Sequence, residues 1–271
     1  MMWEEKQVPS FLLARYRWNR HDSGMVSIAD QLLQASAFLA DEMDSLSFSF
    51  PVAYTYNPLK YAWAPYEQYV RRYGDSKKRT FFLGMNPGPF GMAQTGVPFG
   101  EVDAVKNWLG IEAAVGKPSL MHPKRPVDGF ACKRSEVSGR RLWGLFRDVY
   151  GTPETFFKDH FVVNFCPLVW MSESGANVTP DKLSADIQER IDALCLSHLE
   201  SMIRIMEPEI LVGVGAYATN KLKDASSAMP DRTFTIGTLL HPSPASPVAN
   251  KFWPQRPMEQ LRDLGILPVG K

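Results

Sequence analysis

The 271-residue sequence has few cysteines, almost no excess charge and no long apolar run. Its three cysteines, Cys132, Cys166 and Cys195, include no Cys-x-x-Cys pair, which argues against a disulfide framework and a four-thiolate iron–sulfur cluster. The formal net charge is +1, so any nucleic-acid surface must be a local patch. No apolar run approaches the ~20 residues of a membrane span, and the N-terminus lacks a secretory pattern. We therefore expect a soluble cytoplasmic or nuclear protein that is not secreted and contacts no membrane.

Apolar runs alternate with amphipathic stretches, which is typical of an α/β protein. The runs predict four strands, at about 79–84, 161–168, 210–215 and 233–239. The amphipathic stretches predict helices that begin near Ser27, Ala64, Ser138, Thr179, Tyr217 and Phe252. This order predicts a parallel sheet covered by helices on both faces. We expect a single domain over residues 1–271, with an N-terminal extension over residues 1–26.

A polar residue marks the exit of three of the predicted strands, and a proline comes soon after each of these residues. Asn86 lies in Gly84-Met85-Asn86-Pro87-Gly88-Pro89, Asn164 in Asn164-Phe165-Cys166-Pro167, and His241 directly precedes Pro242. The exits of parallel strands lie on one edge of a sheet, which is where α/β proteins bind ligands. We therefore expect these three side chains to converge on one crevice, with Phe99 near them.

This set of side chains favours one kind of chemistry. An Asn amide both donates and accepts hydrogen bonds, so it can meet an imide edge such as the pairing edge of uracil. A Phe can stack on a flat base, and a His can donate to an oxygen that gains negative charge. A second Asn can hold a water molecule, although it cannot take a proton as a carboxylate would. The set suits hydrolysis of a bond whose leaving group is an anionic base.

Residues 122–141 form the most basic segment of the chain. They carry six cationic side chains against two acids, so they are the best candidates for contacts with phosphate. A solvated loop with no ligand remains an alternative interpretation of the same composition.

Two enzyme motifs favour other readings, and both are incomplete. Gly213-Val214-Gly215-Ala216-Tyr217-Ala218 has the GxGxxA spacing of dinucleotide-binding proteins, but no acid follows the next strand, and close strand–helix packing is the better interpretation. His198-Leu199-Glu200 matches half of a zinc-deaminase signature without its Pro-Cys-x-x-Cys half. We expect it to form part of a helix face.

A non-catalytic alternative is a module that binds single-stranded DNA. The tyrosines at Tyr54 and Tyr56 could stack on bases, and the basic segment could contact the backbone. That reading leaves the three polar strand exits unexplained. The tyrosines are also more typical of core packing than of a stacking groove.

Several motifs together resemble a known family. They are Gly84-Met85-Asn86-Pro87-Gly88-Pro89-Phe90-Gly91, Gly96-Val97-Pro98-Phe99-Gly100, Asn164-Phe165-Cys166-Pro167-Leu168, and His241-Pro242-Ser243-Pro244 followed by Ala249-Asn250-Lys251. The chain resembles the uracil-DNA glycosylase superfamily from about Tyr54 to Trp253. It is most similar to the single-strand-selective monofunctional branch. The resemblance implies a three-layer α/β/α sandwich around a central four-stranded parallel sheet.

The resemblance also implies roles for residues of the crevice. Asn86 would position the attacking water, His241 would stabilise charge on O2 of the base, and Asn164 would read the pairing edge. Phe99 would stack on the base. The pocket around C5, where this branch tolerates hydroxymethyl groups, would be shaped by Gly88, Phe90 and Met92, and Met85 is a further expected substrate contact.

DNA contacts are implied as well. Residues 242–251 would form a wedge that enters the duplex as the base flips out. The expected contacts from this wedge are Pro242, Ser243, Pro244, Ala245, Ser246, Asn250 and Lys251, and those from the basic segment are Lys133, Arg134 and Arg140. Members of the family often carry arginine at the position of Ala245, so we expect weaker duplex opening here.

The predicted reaction needs no metal or other cofactor and leaves an abasic site. No lysine stands at the catalytic strand exits, so we expect no Schiff-base lyase step. The expected partners are single- and double-stranded DNA with uracil or related lesions, bound by a monomer. Xanthine shows the same imide edge as uracil, and a roomy C5 side would admit it.

Overall fold

The computed structural model describes residues 26–267, so the predicted N-terminal extension lies outside the described residues except for Val26. The strands are β1 (Tyr54–Tyr56), β2 (Thr80–Gly84), β3 (His160–Asn164), β4 (Val169–Met171), β5 (Asn177–Val178), β6 (Ile210–Val214) and β7 (Thr235–Leu239). The helices are α1 (Ile28–Asp44), α2 (Pro58–Tyr61), α3 (Trp63–Tyr73), α4 (Met92–Thr95), α5 (Val137–Tyr150), α6 (Pro153–Phe157), α7 (Ala185–Met206), α8 (Ala216–Ser227), α9 (Pro247–Phe252) and α10 (Gln255–Asp263).

The main sheet has four parallel strands in the order β3-β2-β6-β7. Every residue of β2 and β6 is buried, as expected for central strands with helices on both faces. The parallel four-stranded sheet predicted from the sequence is thereby confirmed. Because the strands are parallel, the carboxyl ends of all four lie side by side along one edge of the sheet.

Helices cover both faces of this sheet. On one face, Phe82 contacts Phe146 of α5 and Phe156 of α6, with ring centroids 5.2 Å and 6.2 Å away. On the other face, the ring of Phe161 stacks on Tyr69 of α3 at 5.0 Å. The layers therefore follow the α/β/α order, and the apolar core lies on both sides of the sheet.

The helix starts were predicted with mixed success. Ser27 caps α1 as expected, because its hydroxyl accepts a hydrogen bond from the backbone of Asp30 at 3.0 Å. For α5 the prediction of Ser138 as the cap is wrong. Glu136 takes that place, since its carboxylate accepts from the backbone N–H of Gly139 at 2.9 Å and the helix begins at Val137.

The predicted helix start at Thr179-Pro180 is also wrong. Residues Pro180–Lys182 form one turn of 3₁₀ helix, after which Leu183 is extended. Helix α7 begins only after Ser184. The side chain of Thr179 makes no capping hydrogen bond. Pro180 therefore begins one short turn of helix and not the long helix that was predicted.

A second, three-stranded antiparallel sheet was not predicted. It has the order β1-β4-β5, so residues 54–56 form a strand, and the strand predicted for residues 161–168 ends at Asn164. Tyr56 is fully buried in this sheet. Its hydroxyl donates to the carbonyl of Arg125 and accepts from the backbone N–H of His122, both at 2.8 Å. Tyr56 therefore anchors the basic segment rather than offering a surface for bases.

Within residues 26–267, every helix is too short or too polar to span a lipid bilayer.

Candidate active site

A cavity of about 540 Å³ opens at the carboxyl edge of the main sheet. It brings together the three polar strand exits Asn86, Asn164 and His241, with Phe99 beside them. The other predicted site residues in its wall are Met85, Gly88, Met92, Ser243, Pro244 and Ala245. The convergence expected from parallel topology is therefore present in the structure.

Asn86 stands just beyond the end of β2, and its orientation is fixed by the loop that leaves β3. Its Nδ2 donates a hydrogen bond to the carbonyl of Leu168 over 3.1 Å. The amide oxygen has no protein partner in the part of the chain that the structure describes. Since the side chain lines the cavity, this oxygen is the group available to accept a hydrogen bond from a bound water.

Asn164 and Phe99 lie together at the end of β3. Nδ2 of Asn164 donates to the sulfur of Met92 over 3.3 Å, a weak acceptor that a ligand oxygen could replace. A Cβ on Gly84 would collide with both Asn164 and the ring of Phe99, so glycine is required there. Phe99 itself has a positive φ of 52°, a conformation that costs energy and is found at functional sites.

His241 stands at the end of β7 with its ring held by its own loop. The backbone N–H of Ser243 donates to Nδ1 over 3.2 Å, which leaves Nε2 to carry the proton. Burial lowers the pKa of the ring below its ordinary value of 6.5, because the charged form is poorly solvated. The ring centroids of His241 and Phe99 are 6.5 Å apart. A neutral imidazole with Nε2–H is therefore the form present at neutral pH.

The loop after His241 is held in place by hydrogen bonds from helix α5. Arg141 of α5 donates to the carbonyls of Pro242 and Ser243 over 3.2 and 3.4 Å. It also donates to Oδ1 of Asn250 over 2.9 Å, and Nδ2 of Asn250 donates to the carbonyl of Pro244 over 2.8 Å. Both ends of the Asn250 amide are thus engaged within the protein.

The remaining residues of the predicted wedge lie around this brace. Ser246 caps α9 through a hydrogen bond from Ala249, and Pro242 is buried. Pro244, Ala245 and Lys251 are exposed. Residues 242–251 therefore form a rim at the mouth of the cavity, and the small residue Ala245 lies at its edge.

The basic segment lies next to the same rim, because Glu136 and Ser138 at its end line the cavity. Lys133, Arg134 and Arg140 are exposed, as a phosphate contact requires. The guanidinium of Arg134 lies 4.0 Å from the ring centroid of Phe90, and that of Arg125 lies 5.4 Å from it. Phe90 is not among the residues that line the cavity, and its ring lies against these two guanidinium groups instead.

Four polar residues of the cavity wall were missed by sequence reasoning. They are Glu136, Ser138, Asn177 and Thr179. Asn177 and Thr179 come from β5 and its exit, in the sheet that was not predicted. Glu136 was counted only as one of two acids in a basic segment. Burial raises the pKa of its carboxyl to about 7, and the nearby Glu101 acts in the same direction.

A second cavity of about 620 Å³ lies on the far side of His241, against α8, α9 and α10. The Gly213-x-Gly215 motif is at its edge. A Cβ on Gly213 would collide with Thr219 of α8, and Gly215 has a positive φ of 90° and would meet His241 at 3.2 Å. These glycines serve close strand–helix packing, which confirms that interpretation over a dinucleotide site.

The comparisons with known proteins agree with this geometry. A model of the Uracil DNA glycosylase superfamily matches residues 71–262. The chain is 48% identical over 244 residues to the "Single-strand selective monofunctional uracil DNA glycosylase" of Bos taurus, covering 90% of this chain and 89% of the relative. The corresponding protein of Rattus norvegicus is 46% identical over 243 residues, covering 90% of this chain and 87% of the relative.

A solved structure shares the fold. The crystal structure of WT Pedobacter heparinus SMUG2 matches with a TM-score of 0.59 at 18% identity, covering 89% of this chain and 94% of that chain. At that identity the match supports the architecture alone. The family match and the curated relatives decide the rest: this chain belongs to the uracil-DNA glycosylase superfamily, in its single-strand-selective monofunctional branch, and is a DNA N-glycosylase.

Proposed function

We propose that this enzyme flips uracil out of DNA into the cavity and hydrolyses its N-glycosidic bond, leaving an intact abasic site. The observation that carries the proposal is the convergence of Asn86, Asn164 and His241 in one cavity beside Phe99. Uracil with C5 substituents such as hydroxymethyl belongs to the proposed substrates. The reaction requires no cofactor, and a monomer of the cytoplasm or nucleus suffices for it.

In the first step the bond between C1′ and N1 breaks, and its electron pair leaves with the base. The sugar becomes oxocarbenium-like and the base becomes an anion with charge on O2. The Nε2–H of His241 donates to this oxygen, since Nδ1 is already occupied by the N–H of Ser243. A donor that is held in place before the charge develops costs no reorganisation in the transition state.

In the second step water adds to C1′. The free amide oxygen of Asn86 accepts a hydrogen bond from this water and holds it beneath the sugar, because Nδ2 is held by Leu168. The new bond forms between the water oxygen and C1′, and the water proton passes to solvent or to the departing base anion. The products are the free base and an abasic sugar.

The base is recognised on the side of the cavity opposite His241. Asn164 accepts from N3–H and donates to O4, replacing its weak contact with the sulfur of Met92. Phe99 stacks on the ring. Met85, Gly88 and Met92 line the remaining wall, and the absence of a side chain at Gly88 leaves space beside the base.

The DNA backbone is proposed to cross the exposed rim. Lys133, Arg134 and Arg140 contribute phosphate contacts from one side. Pro244, Ala245 and Lys251 approach the duplex from the other, while Ser243 and Ser246 hold the turn between them.

Xanthine is a second proposed substrate class. Its six-membered ring shows the same O–NH–O edge that Asn164 and His241 would read in uracil. The observation in its favour is the cavity volume of about 540 Å³, which leaves space for the second ring of a purine.

The test uses oligonucleotides that carry one deoxyuridine, single-stranded or paired with guanine, incubated without metal or nucleotide. Cleavage that appears only after alkali, and that His241→Leu abolishes, would support a monofunctional glycosylase. Tight binding with no abasic product would favour the single-strand-binding module instead. Cleavage without alkali would contradict the proposed absence of a lyase step.

A further inference from the structure

The carboxyl group of Glu136 lies in the cavity wall with one oxygen engaged and one free. Its Oε2 accepts from the backbone N–H of Gly139 over 2.9 Å. Its Oε1 has no hydrogen-bond partner within residues 26–267. Glu136 is partly buried in the cavity wall, so its free oxygen can accept a hydrogen bond from water or from a donor on a bound ligand.

Two glycines of the loop after Asn86 lie directly against this carboxyl group. A Cβ on Gly91 would lie 2.7 Å from Oε2, and a Cβ on Gly88 would lie 3.6 Å from Oε1. The two glycines therefore let the loop pass directly over the carboxyl. Because Gly88 has no side chain, the free oxygen is not screened from the cavity on that side.

In the proposed binding pose, the order of the strands places C5 of the base toward this wall. His241 lies just beyond the end of β7 and Asn164 is the last residue of β3, at opposite ends of the order β3-β2-β6-β7. A uracil with O2 at His241 and its N3–O4 edge at Asn164 has C5 next beyond O4. Met92 contacts Asn164 and follows Gly91 directly, so the wall of Met92, Gly88 and Glu136 faces C5.

We propose that Glu136 determines specificity at C5, with its free Oε1 accepting a hydrogen bond from a donor on the substituent, such as the hydroxyl of a hydroxymethyl group. This inference rests on the proposed function. The same oxygen disfavours a substituent that can only accept, such as a formyl group. The hydrogen bond that caps α5 is retained with either substituent, because it uses Oε2 and not Oε1.

The test compares wild type with Glu136→Gln on single-stranded oligonucleotides containing uracil, 5-hydroxymethyluracil or 5-formyluracil. In the variant the amide oxygen keeps the bond from Gly139, and the amide NH₂ takes the place of Oε1 and donates to a formyl oxygen. At about pH 8.5, above the pKa of about 7, Glu136 is ionised in the wild type.

We expect the ratio of kcat/KM for hydroxymethyl over formyl substrate to fall about tenfold or more in Glu136→Gln, as for one exchanged hydrogen bond to a charged group. Activity on uracil should stay within about threefold of wild type, because uracil has no group at C5 to meet Oε1. Taking a ratio between enzymes removes the different leaving-group quality of the two bases. Glu154→Gln, an exposed change on α6, is the matched control. It should leave the hydroxymethyl-to-formyl ratio and the activity on uracil unchanged.

Glu136→Asn provides a second route if Glu136→Gln does not fold. Asn is among the best capping residues, and its shorter side chain withdraws from the cavity. The inference predicts loss of the hydroxymethyl preference with uracil activity and thermal midpoint retained. An unchanged substrate ratio in a folded variant, or loss of all activity with folding in both, would overturn it and leave Glu136 as a helix cap. Failure of wild type on uracil would instead contradict the proposed function.

Discussion

The backbone N–H of Ser243 donates a hydrogen bond to Nδ1 of His241 over 3.2 Å, so the loop selects the tautomer of the ring that ends β7. Burial lowers the pKa of that ring below 6.5. The imidazole is thus a neutral Nε2–H donor at neutral pH. Its neutral form is favoured by the fold, so the associated stability is complete above pH 6.5 and is lost as the pH falls toward the lower folded pKa.

We predict that His241→Leu lowers the single-turnover rate on uracil by ~10²–10³, as for removal of one preorganised donor. A ¹⁵N NMR titration of wild type should find a midpoint below 6.5 for His241, with the proton on Nε2 in the neutral form. A midpoint above 6.5, or a proton on Nδ1, would contradict the assigned role of Ser243.

Asn86→Ala should lose turnover without loss of DNA binding. The amide oxygen of Asn86 is the proposed acceptor for water, whereas the proposed contacts to the base come from Asn164 and Phe99. We expect a rate loss of ~10²–10³ in single turnover, and an unchanged Kd for single-stranded uracil DNA measured by fluorescence anisotropy. Asn107→Ala is the control, because Asn107 is exposed and its side chain donates a hydrogen bond to Asp103. Near-normal turnover by Asn86→Ala would show that the water is held elsewhere.

Ala245→Arg should raise activity on duplex more than on single strands. Ala245 is exposed at the rim of the cavity, where a longer side chain could fill the stack that a flipped base vacates. Ratios of kcat/KM on duplex and single-stranded substrates provide the readout. Ala114→Arg adds the same charge at another exposed position. Equal gains on both substrates, or the same gain from Ala114→Arg, would mean that charge alone is responsible.

The strand exits could be predicted because the signals are local. Apolar runs that break into proline at Asn86 and His241 mark both the strand and its end, and parallel topology then brings the exits together. The positions of Phe90 and Glu136 relative to the cavity could not be predicted in this way. Their positions depend on where the basic segment folds back, which Tyr56 and a sheet of strands only two or three residues long determine. Such strands have too few residues to show a period.

Arg141 is a positioning residue whose loss should be felt most strongly on duplex DNA. It is the residue of α5 that holds Pro242, Ser243 and Asn250 through three hydrogen bonds. Without Arg141, the rim that is proposed to enter the duplex would lose these three hydrogen bonds. Hydrogen bonds to a charged group contribute about 1.5–3 kcal/mol each, so the expected loss is measurable even if the loop partly relaxes.

We predict that Arg141→Gln lowers kcat/KM on duplex about tenfold or more and on single strands by less than about threefold. The single-stranded substrate needs no wedge, so the split between the two substrates distinguishes bracing of the loop from general damage. Arg147→Gln, an exposed change on the same helix at a residue whose ionic partner is Asp148, should affect neither. Equal losses on both substrates would place Arg141 in the folding of α5 rather than in duplex opening.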